Sequence, residues 1–308
     1  MLHKLIFIFN KKNEQAVRNQ YMYSLHTLKE EMLNQNVKVF VNFVEENIDV
    51  SDVSDVAQAT DDKEDALYVR HSTDTLYLTD TPSHLDMLKL WGYYAVALIH
   101  DYNKEISFRN ADYLIEGMDG LEYNYLDKVY RRLAKIPWDI LETERLLVRE
   151  STVKDVDDFY RIYSEPSITY YMEDLFKEPD MERMYMKNYI RRVYGFYGYG
   201  MWTVILKETG QVIGRAGLSM RDGYALPELG FVIEAAHQRQ GYASEVCRAI
   251  LIYARKELQV SAVQALVCKE NTASVMLLKS LGFVYKENVE ESGLEYQLWI
   301  KDWSATGK

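Results

Sequence analysis

Cysteine is nearly absent. Cys247 and Cys268 are the two in 308 residues, and both stand inside apolar segments. A disulfide framework is therefore not expected, a reducing compartment is the simpler reading, and both thiols read as small core residues. Long hydrophobic runs are also missing. The opening MLHKLIFIFNKK has too short an apolar run for a signal peptide and no small-residue cleavage site, and no later stretch reaches the length of a membrane span. A soluble cytoplasmic chain without a membrane partner is the expectation. Positive charge is in deficit, with 36 Lys plus Arg against 47 Asp plus Glu and a formal net charge of −11. That balance argues against nucleic acid as a partner and suits a cationic substrate. The six histidines have no metal-ligand spacing. The acidic stretch 44–65 lacks the turn glycine and spaced ligands of a calcium loop, so it reads as a solvated loop or short polar helix, and no metal is expected.

What is present fits two domains, each long enough to bury a core. Residues 1–137 read as strands at Leu5–Phe9, Val37–Phe43, Ala66–Val69, Thr75–Leu78, Tyr94–His100 and Ala111–Ile115. Helices are expected over about 13–36, Ser83–Trp91 and Leu121–Lys135. This alternation predicts a small, largely parallel sheet covered by helices. Asp80 and Asp101 fall at carboxyl ends of strands, where open α/β sheets bind ligands, although polar strand ends usually just meet water. The boundary is set at Ile136-Pro137-Trp138.

Residues 138–308 have a different rhythm. LETERLLVREST reads as a strand, Thr152-Val153-Lys154-Asp155 as a capping box opening a helix that Pro166 ends, and Asp180–Tyr194 as a second helix. The aromatic and glycine-rich stretch from Tyr194 to Trp202 is a substrate wall or a packing loop. Trp202–Lys207, Val212–Met220 and Leu229–Ile233 form an antiparallel meander. A helix follows from Ala243 to about Leu258, then an interior strand Ala262–Val267. A helix capped by Asn271 runs to Leu281-Gly282-Phe283, and the last strands are Phe283–Tyr285 and Glu295–Trp299. Between the central strand and its helix lies Gln238-Arg239-Gln240-Gly241-Tyr242-Ala243-Ser244. Gly241 lets the backbone approach a ligand there, and free N–H groups at a helix N-terminus suit a pyrophosphate.

Three stretches carry a resemblance. The loop Gln238 to Ser244 followed by Glu245, the opening ETERLLVRE with its helix, and Asn271-x-x-Ser274 with Leu281-Gly282-Phe283 together resemble the GNAT superfamily of N-acetyltransferases, RimJ/RimL-like branch, over about 142–303. The run LYLTDTPSHLDMLKLWGYYAVALIHD with ADYLIEGMDGL faintly resembles haloacid-dehalogenase-type Rossmann domains. That family's nucleophilic Asp is replaced here by Asn10, so phosphatase chemistry is not expected. The resemblances imply an α/β chain in which a smaller, non-catalytic Rossmann-like domain precedes a GNAT fold, a mixed and mostly antiparallel sheet with flanking helices.

The implied activity is acetyl transfer from acetyl-CoA to a primary amine by direct attack on the thioester, an acyltransferase of the EC 2.3.1 type. The alternative is an acyl-CoA sensor without turnover. Backbone groups of Gln238, Arg239, Gln240, Gly241, Tyr242, Ala243 and Ser244 would hold the pyrophosphate. Main-chain groups of Phe231, Val232 and Ile233, on a strand that splays from its neighbour in this family, would meet the pantetheine, with Asn271 and Ser274 beside it. Glu228 is the candidate base, acting through a water, or simply a charged strand entrance. Many relatives use a Tyr acid where Leu278 stands, so Ser274 or Tyr285 is the candidate acid. A thiolate, with a pKa of about 8.5 for the thiol, also leaves tolerably unaided. The acceptor is a protein α-amine or a small-molecule amine, and homo-oligomerisation is left open.

Overall fold

A computed structural model describes residues 1–46, 73–172, 174–291 and 293–304. The chain divides into two compact units, Met1–Ile136 and Pro137–Lys308. The first is built on five strands: β1 (Lys4–Asn10), β2 (Lys38–Val44), β3 (Thr75–Thr79), β4 (Tyr94–Ile99) and β5 (Leu114–Glu116). They pair in parallel in the order β2-β1-β3-β4-β5. Among the described residues, helices α1 (Glu14–Asn34), α2 (Pro82–Leu90) and α3 (Tyr123–Leu133) accompany the sheet.

The apolar run of β1 is explained by burial on both faces. Leu5, Phe7 and Phe9 pack with Val17, Tyr21 and Leu25 of α1 and with Leu126 and Val129 of α3. Ile6 and Ile8 pack on the opposite side with Leu85 and Leu88 of α2. The strand expected at Ala111–Ile115 shrinks to the three residues of β5. The strand expected at Ala66–Val69, and most of the acidic stretch, lie outside the described residues.

Asp80 corrects the reading of polar strand ends that merely meet water. It is 1% exposed and accepts from the Asn10 N–H at 2.7 Å, Asn13 Nδ2 at 3.1 Å, Thr81 Oγ1 at 2.9 Å and His100 Nε2 at 3.1 Å. The Tyr102 N–H donates to His100 Nδ1, which leaves Nε2 as the protonated nitrogen that faces Asp80. Burial opposes ionisation of Asp80, but the bonds from His100, Asn13, Thr81 and Asn10 outweigh it and hold the carboxyl below its ordinary range. Asp101, by contrast, is exposed and pairs with Lys104 and Gln20.

Removing the Asp80 carboxylate strands several buried donors at once. Asp80→Ala is expected to cost about 3 kcal/mol or more in the stability of the first unit, read by denaturant unfolding. Because the folded pKa is depressed, the Asp80 contribution is complete above about pH 4 and is lost as pH falls through the depressed value. Equal acid sensitivity in wild type and variant would count against this.

The second unit holds an eight-stranded sheet ordered β12-β13-β11-β10-β9-β8-β7-β6. The segment expected as one strand is a hairpin, β6 (Asp139–Glu142) and β7 (Leu146–Arg149), because Thr143–Arg145 turn the chain, with the Thr143 N–H bonded to the Leu146 carbonyl. The capping box at Thr152 and Asp155 is present, and Asp155 also holds Arg149 in a two-pronged pair. It precedes α4 (Val156–Tyr163).

That helix ends at Tyr163, and Pro166, expected to end it, instead opens a short helix over Pro166–Thr169; the following α5 (Pro179–Tyr189) ends before the expected Tyr194. It widens into a π turn over Ile190–Tyr194, where the Tyr194 hydroxyl accepts from the Ser151 N–H and donates to the Met201 carbonyl. The aromatic stretch is thus divided in use, since Tyr194 and Trp202 are core residues while Phe196 is 81% exposed.

Strands β8 (Met201–Leu206), β9 (Gln211–Ser219) and β10 (Glu228–Ile233) form the antiparallel meander. Then follow α6 (Tyr242–Lys256), β11 (Ala262–Val267), α7 (Thr272–Ser280), β12 (Val284–Glu291) and β13 (Leu294–Asp302). The last two strands are longer than expected. Helices α6 and α7 cover one sheet face through Val246, Ile250, Ala254 and Leu278, and α4 and α5 cover the other around Phe159, Met186 and Val232. Cys247 is buried as expected, but Cys268 is only half-buried, and both are free. Among the described residues no helix is long and apolar enough to cross a membrane.

Candidate functional site

The loop between β10 and α6 is shaped by two left-handed residues, Arg239 at φ 59° and Gly241 at φ 86°. Alternating backbone handedness turns successive N–H groups toward one side, a concavity suited to anions. From Arg239 to Ser244 no backbone N–H meets an acceptor among the described residues, and the first return bond of the helix runs from the Glu245 N–H to the Gly241 carbonyl. Two side-chain amides of the loop are tied to the backbone before it. Gln238 Nε2 donates to the Ile233 carbonyl at 3.0 Å, and Gln240 Nε2 donates to that of Ala236 at 3.0 Å. Tyr242 is buried, while Ala243 and Ser244 lie in the first helical turn. These features would suit a pyrophosphate: six N–H groups without a protein acceptor stand at the positive end of the 15-residue α6.

Sequence reasoning missed the support of this loop. Arg145, from the turn between β6 and β7, lies 4.3 Å above the Tyr242 ring, pairs with Glu245 and donates to the Gln240 carbonyl. Glu245 also accepts from Thr143 Oγ1 and the Arg145 N–H. Burial raises its pKa, but these bonds lower it further and leave it ionised. The sequence signal was the charged turn Glu144-Arg145 beside an otherwise apolar strand. Arg145→Ala is expected to weaken coenzyme A binding roughly fivefold by loosening the loop, since each exposed contact is worth up to about 1 kcal/mol. Calorimetry reads this, and unchanged affinity would remove Arg145 from the site.

Beside the loop, the sheet opens. On one side β10 pairs with β9 along its whole length. On the other it meets β11, the single parallel neighbour in this sheet, at one register position, Glu228 with Gln264. The bond from the Gln264 N–H to the Pro227 carbonyl shows which main-chain groups face β11, and by alternation those of Phe231 and Ile233 point into the gap between the strands. Val232 points its side chain to the α4 face.

Glu228 enters this gap on the α4 side. It is 7% exposed, and its two oxygens accept from Arg221 Nε at 2.6 Å and Nη2 at 2.9 Å. Arg221 bridges onward to Glu291 at 2.7 Å, and the bond to Glu228 raises its pKa. Two donors on the same face have no partner: Gln264 Nε2 and Arg215 Nε are both buried, and the Arg215 guanidinium rests 4.5 Å above the Phe159 ring.

Asn271 caps α7, its Oδ1 accepting from the Ser274 N–H at 3.1 Å. Ser274 therefore stands in the first turn of α7, just past the carboxyl end of β11 and the opening. Leu278 is a core residue. Tyr285 is not brought to the opening. It lies on the outermost strand β12, 43% exposed, with its ring edge-on to Trp299 and its hydroxyl donating to Asn288. Among the described residues no group of three or more His, Cys, Asp or Glu is placed to hold a metal.

The acetyltransferase (GNAT) domain family matches residues 145–284. An uncharacterized N-acetyltransferase, p20 of Bacillus licheniformis, is 33% identical over 153 residues, covering 47% of this chain and 82% of that one. The uncharacterized N-acetyltransferase YnaD of Bacillus subtilis is 32% identical over 143 residues, covering 46% and 81%. An acetyltransferase structure from Agrobacterium tumefaciens is 22% identical, covers 52% of this chain and 92% of that one, and has a TM-score of 0.46. The chain belongs to the GNAT family and is an N-acetyltransferase.

Proposed function

We propose that the second unit binds acetyl-CoA along the loop from Gln238 to Ser244 and the gap between β10 and β11, and transfers the acetyl group to a primary amine by direct attack. The observation that carries the reading is the opening itself: a strand pair that meets at one position beside six unpartnered N–H groups. Acetyl-CoA supplies the activated acyl group, and the protein's part is binding, orientation and proton handling. Backbone groups of Phe231 and Ile233 orient the donor in the gap. Glu228, on the α4 side, attracts the acceptor ammonium in exchange for Arg221 and takes its proton through a water. Ser274, in the first turn of α7, would protonate the departing thiolate, a role for which Tyr285, on the outermost strand β12, is the less favoured candidate.

The test is thiol release from acetyl-CoA with a panel of protein α-amines, polyamines, amino acids and amine drugs. Release that depends on one amine class is the expected result. Coenzyme A binding without release across all classes would favour a sensor. For the first unit we propose a Rossmann-like, non-catalytic domain. Its support is the parallel order β2-β1-β3-β4-β5 with helices on both faces, an order that recurs in doubly wound folds. No phosphoryl transfer is assigned to it, since Asn10 ends β1 where a nucleophilic carboxylate would be needed.

A further inference from the structure

The second unit carries a pocket of about 190 Å³, lined by Arg248, Leu251, Ile252 and Arg255 of α6, Leu281 at the end of α7, and Lys301 and Trp303 at the end of the chain's last strand. The α6 residues follow an i, i+3, i+4, i+7 spacing and so form one stripe of the helix. This stripe flanks the buried one that holds Cys247, Ile250 and Ala254. The pocket runs from the middle of α6 to its carboxyl end, away from the loop at its amino end. Arg255 lies thirteen residues after Tyr242, about 20 Å along α6 from the loop. Lys301 pairs with Val263 near the amino end of β11, whereas the opening is at the carboxyl ends of β10 and β11.

The charge at this place runs against the rest of the molecule. In a chain of net charge −11, the pocket gathers three cations, and none of them forms an ion pair with a carboxylate among the described residues. Burial, followed by repulsion from Arg248 and Arg255, lowers the pKa of Lys301. The ammonium is held in place by the Leu281 carbonyl at 2.5 Å, where the negative end of the α7 dipole favours a cation.

Gly282 makes that position available. At φ 84°, its missing Cβ would lie 2.9 Å from Lys301 Nζ, so a side chain there would displace the ammonium. Three like charges are thus brought together with an apolar floor of Leu251 and Leu281 and an indole wall. An anion with an apolar or planar body relieves the repulsion and covers the floor.

We propose that this pocket is a second ligand site, for a small organic phosphate, in which Arg248, Arg255 and Lys301 hold the phosphoryl group while Leu251, Leu281 and Trp303 contact its body. Phosphate is favoured over carboxylate because three separate cations can each reach a different oxygen.

The experiment is calorimetric titration of the full chain with phenyl phosphate in the presence of saturating coenzyme A, which fills the loop at the other end of α6. One-to-one binding is expected, tighter than that of benzoate and much tighter than that of phenol. The double variant Arg248→Gln with Arg255→Gln, both exposed residues whose loss spares the core, should weaken binding at least about tenfold, as the loss of charge-assisted hydrogen bonds implies. Lys301→Met should weaken it as well, and coenzyme A affinity should be unchanged in both. No heat with phenyl phosphate, equal affinity for phenol, or unaltered affinity in a folded double variant would each overturn the proposal.

Discussion

Gly241→Trp abolishes coenzyme A binding: a loss of at least about 100-fold is expected in calorimetry, with the protein still folded by thermal unfolding. Two effects add. Gly241 sits at φ 86°, a region that costs an L-residue about 1–2 kcal/mol, and an added Cβ lies 3.4 Å from Arg145 Nη2, the side chain that braces the loop. The indole would also have to share the concavity with the phosphates. Gly241→Ala separates these effects, because it carries the strain without the bulk and should weaken binding only several-fold. If Trp and Ala behave alike, occlusion is not the cause, and unchanged affinity in both would place the pyrophosphate elsewhere.

Glu228→Gln has the second large effect, a fall in kcat of roughly 10²-fold or more at neutral pH, as expected when a transition-state proton acceptor is lost. The structure adds a complication that the sequence did not reveal. Glu228 is held at both oxygens by Arg221, so the amide of Gln would turn a donor toward a guanidinium, and some stability is lost as well. The partner variant Arg221→Gln resolves the ambiguity. It removes the same ion pair but leaves the carboxylate, so a base at Glu228 predicts turnover within a few-fold of wild type in Arg221→Gln and a deep loss in Glu228→Gln. Equal losses in the two variants would mean that the pair only shapes the strand entrance. The pH profile provides a second check, since the Glu228→Gln defect should shrink as pH rises toward the amine pKa, where solvent deprotonates the acceptor. A loss independent of pH points instead to positioning of the amine.

Much of this fold was legible because its signals are local. The period of α1, the apolar run of β1, the Thr152–Asp155 capping box and the glycine at position 241 each constrain a few neighbouring residues through sterics and hydrogen bonding. The structure has α1, β1 and the capping box within a few positions of where these signals put them. The errors came where local signals conflict with a tertiary partner. The hairpin of β6 and β7 looked like one strand because its turn residues, Glu144 and Arg145, are charged rather than glycine or proline. The helix ending at Tyr189 was read through to Tyr194 because a π turn keeps the helical pattern while the Tyr194 hydroxyl is taken up by Ser151 and Met201.

The sequence by itself determined most of the elements and their order. Those follow from backbone conformation and hydrophobic period, which are properties of adjacent residues. Only the tertiary structure decided which charges meet. Arg145 reaches Glu245 across 100 positions, Arg221 reaches Glu291 across 70, and Asp80 is enclosed by Asn10 and His100. Three cations also gather along the carboxyl half of α6 without an ion-paired carboxylate among the described residues. The energy of a charge is set by its distance to other charges and by its exposure to water. Sheet order and helix packing fix those distances, and no local pattern encodes them.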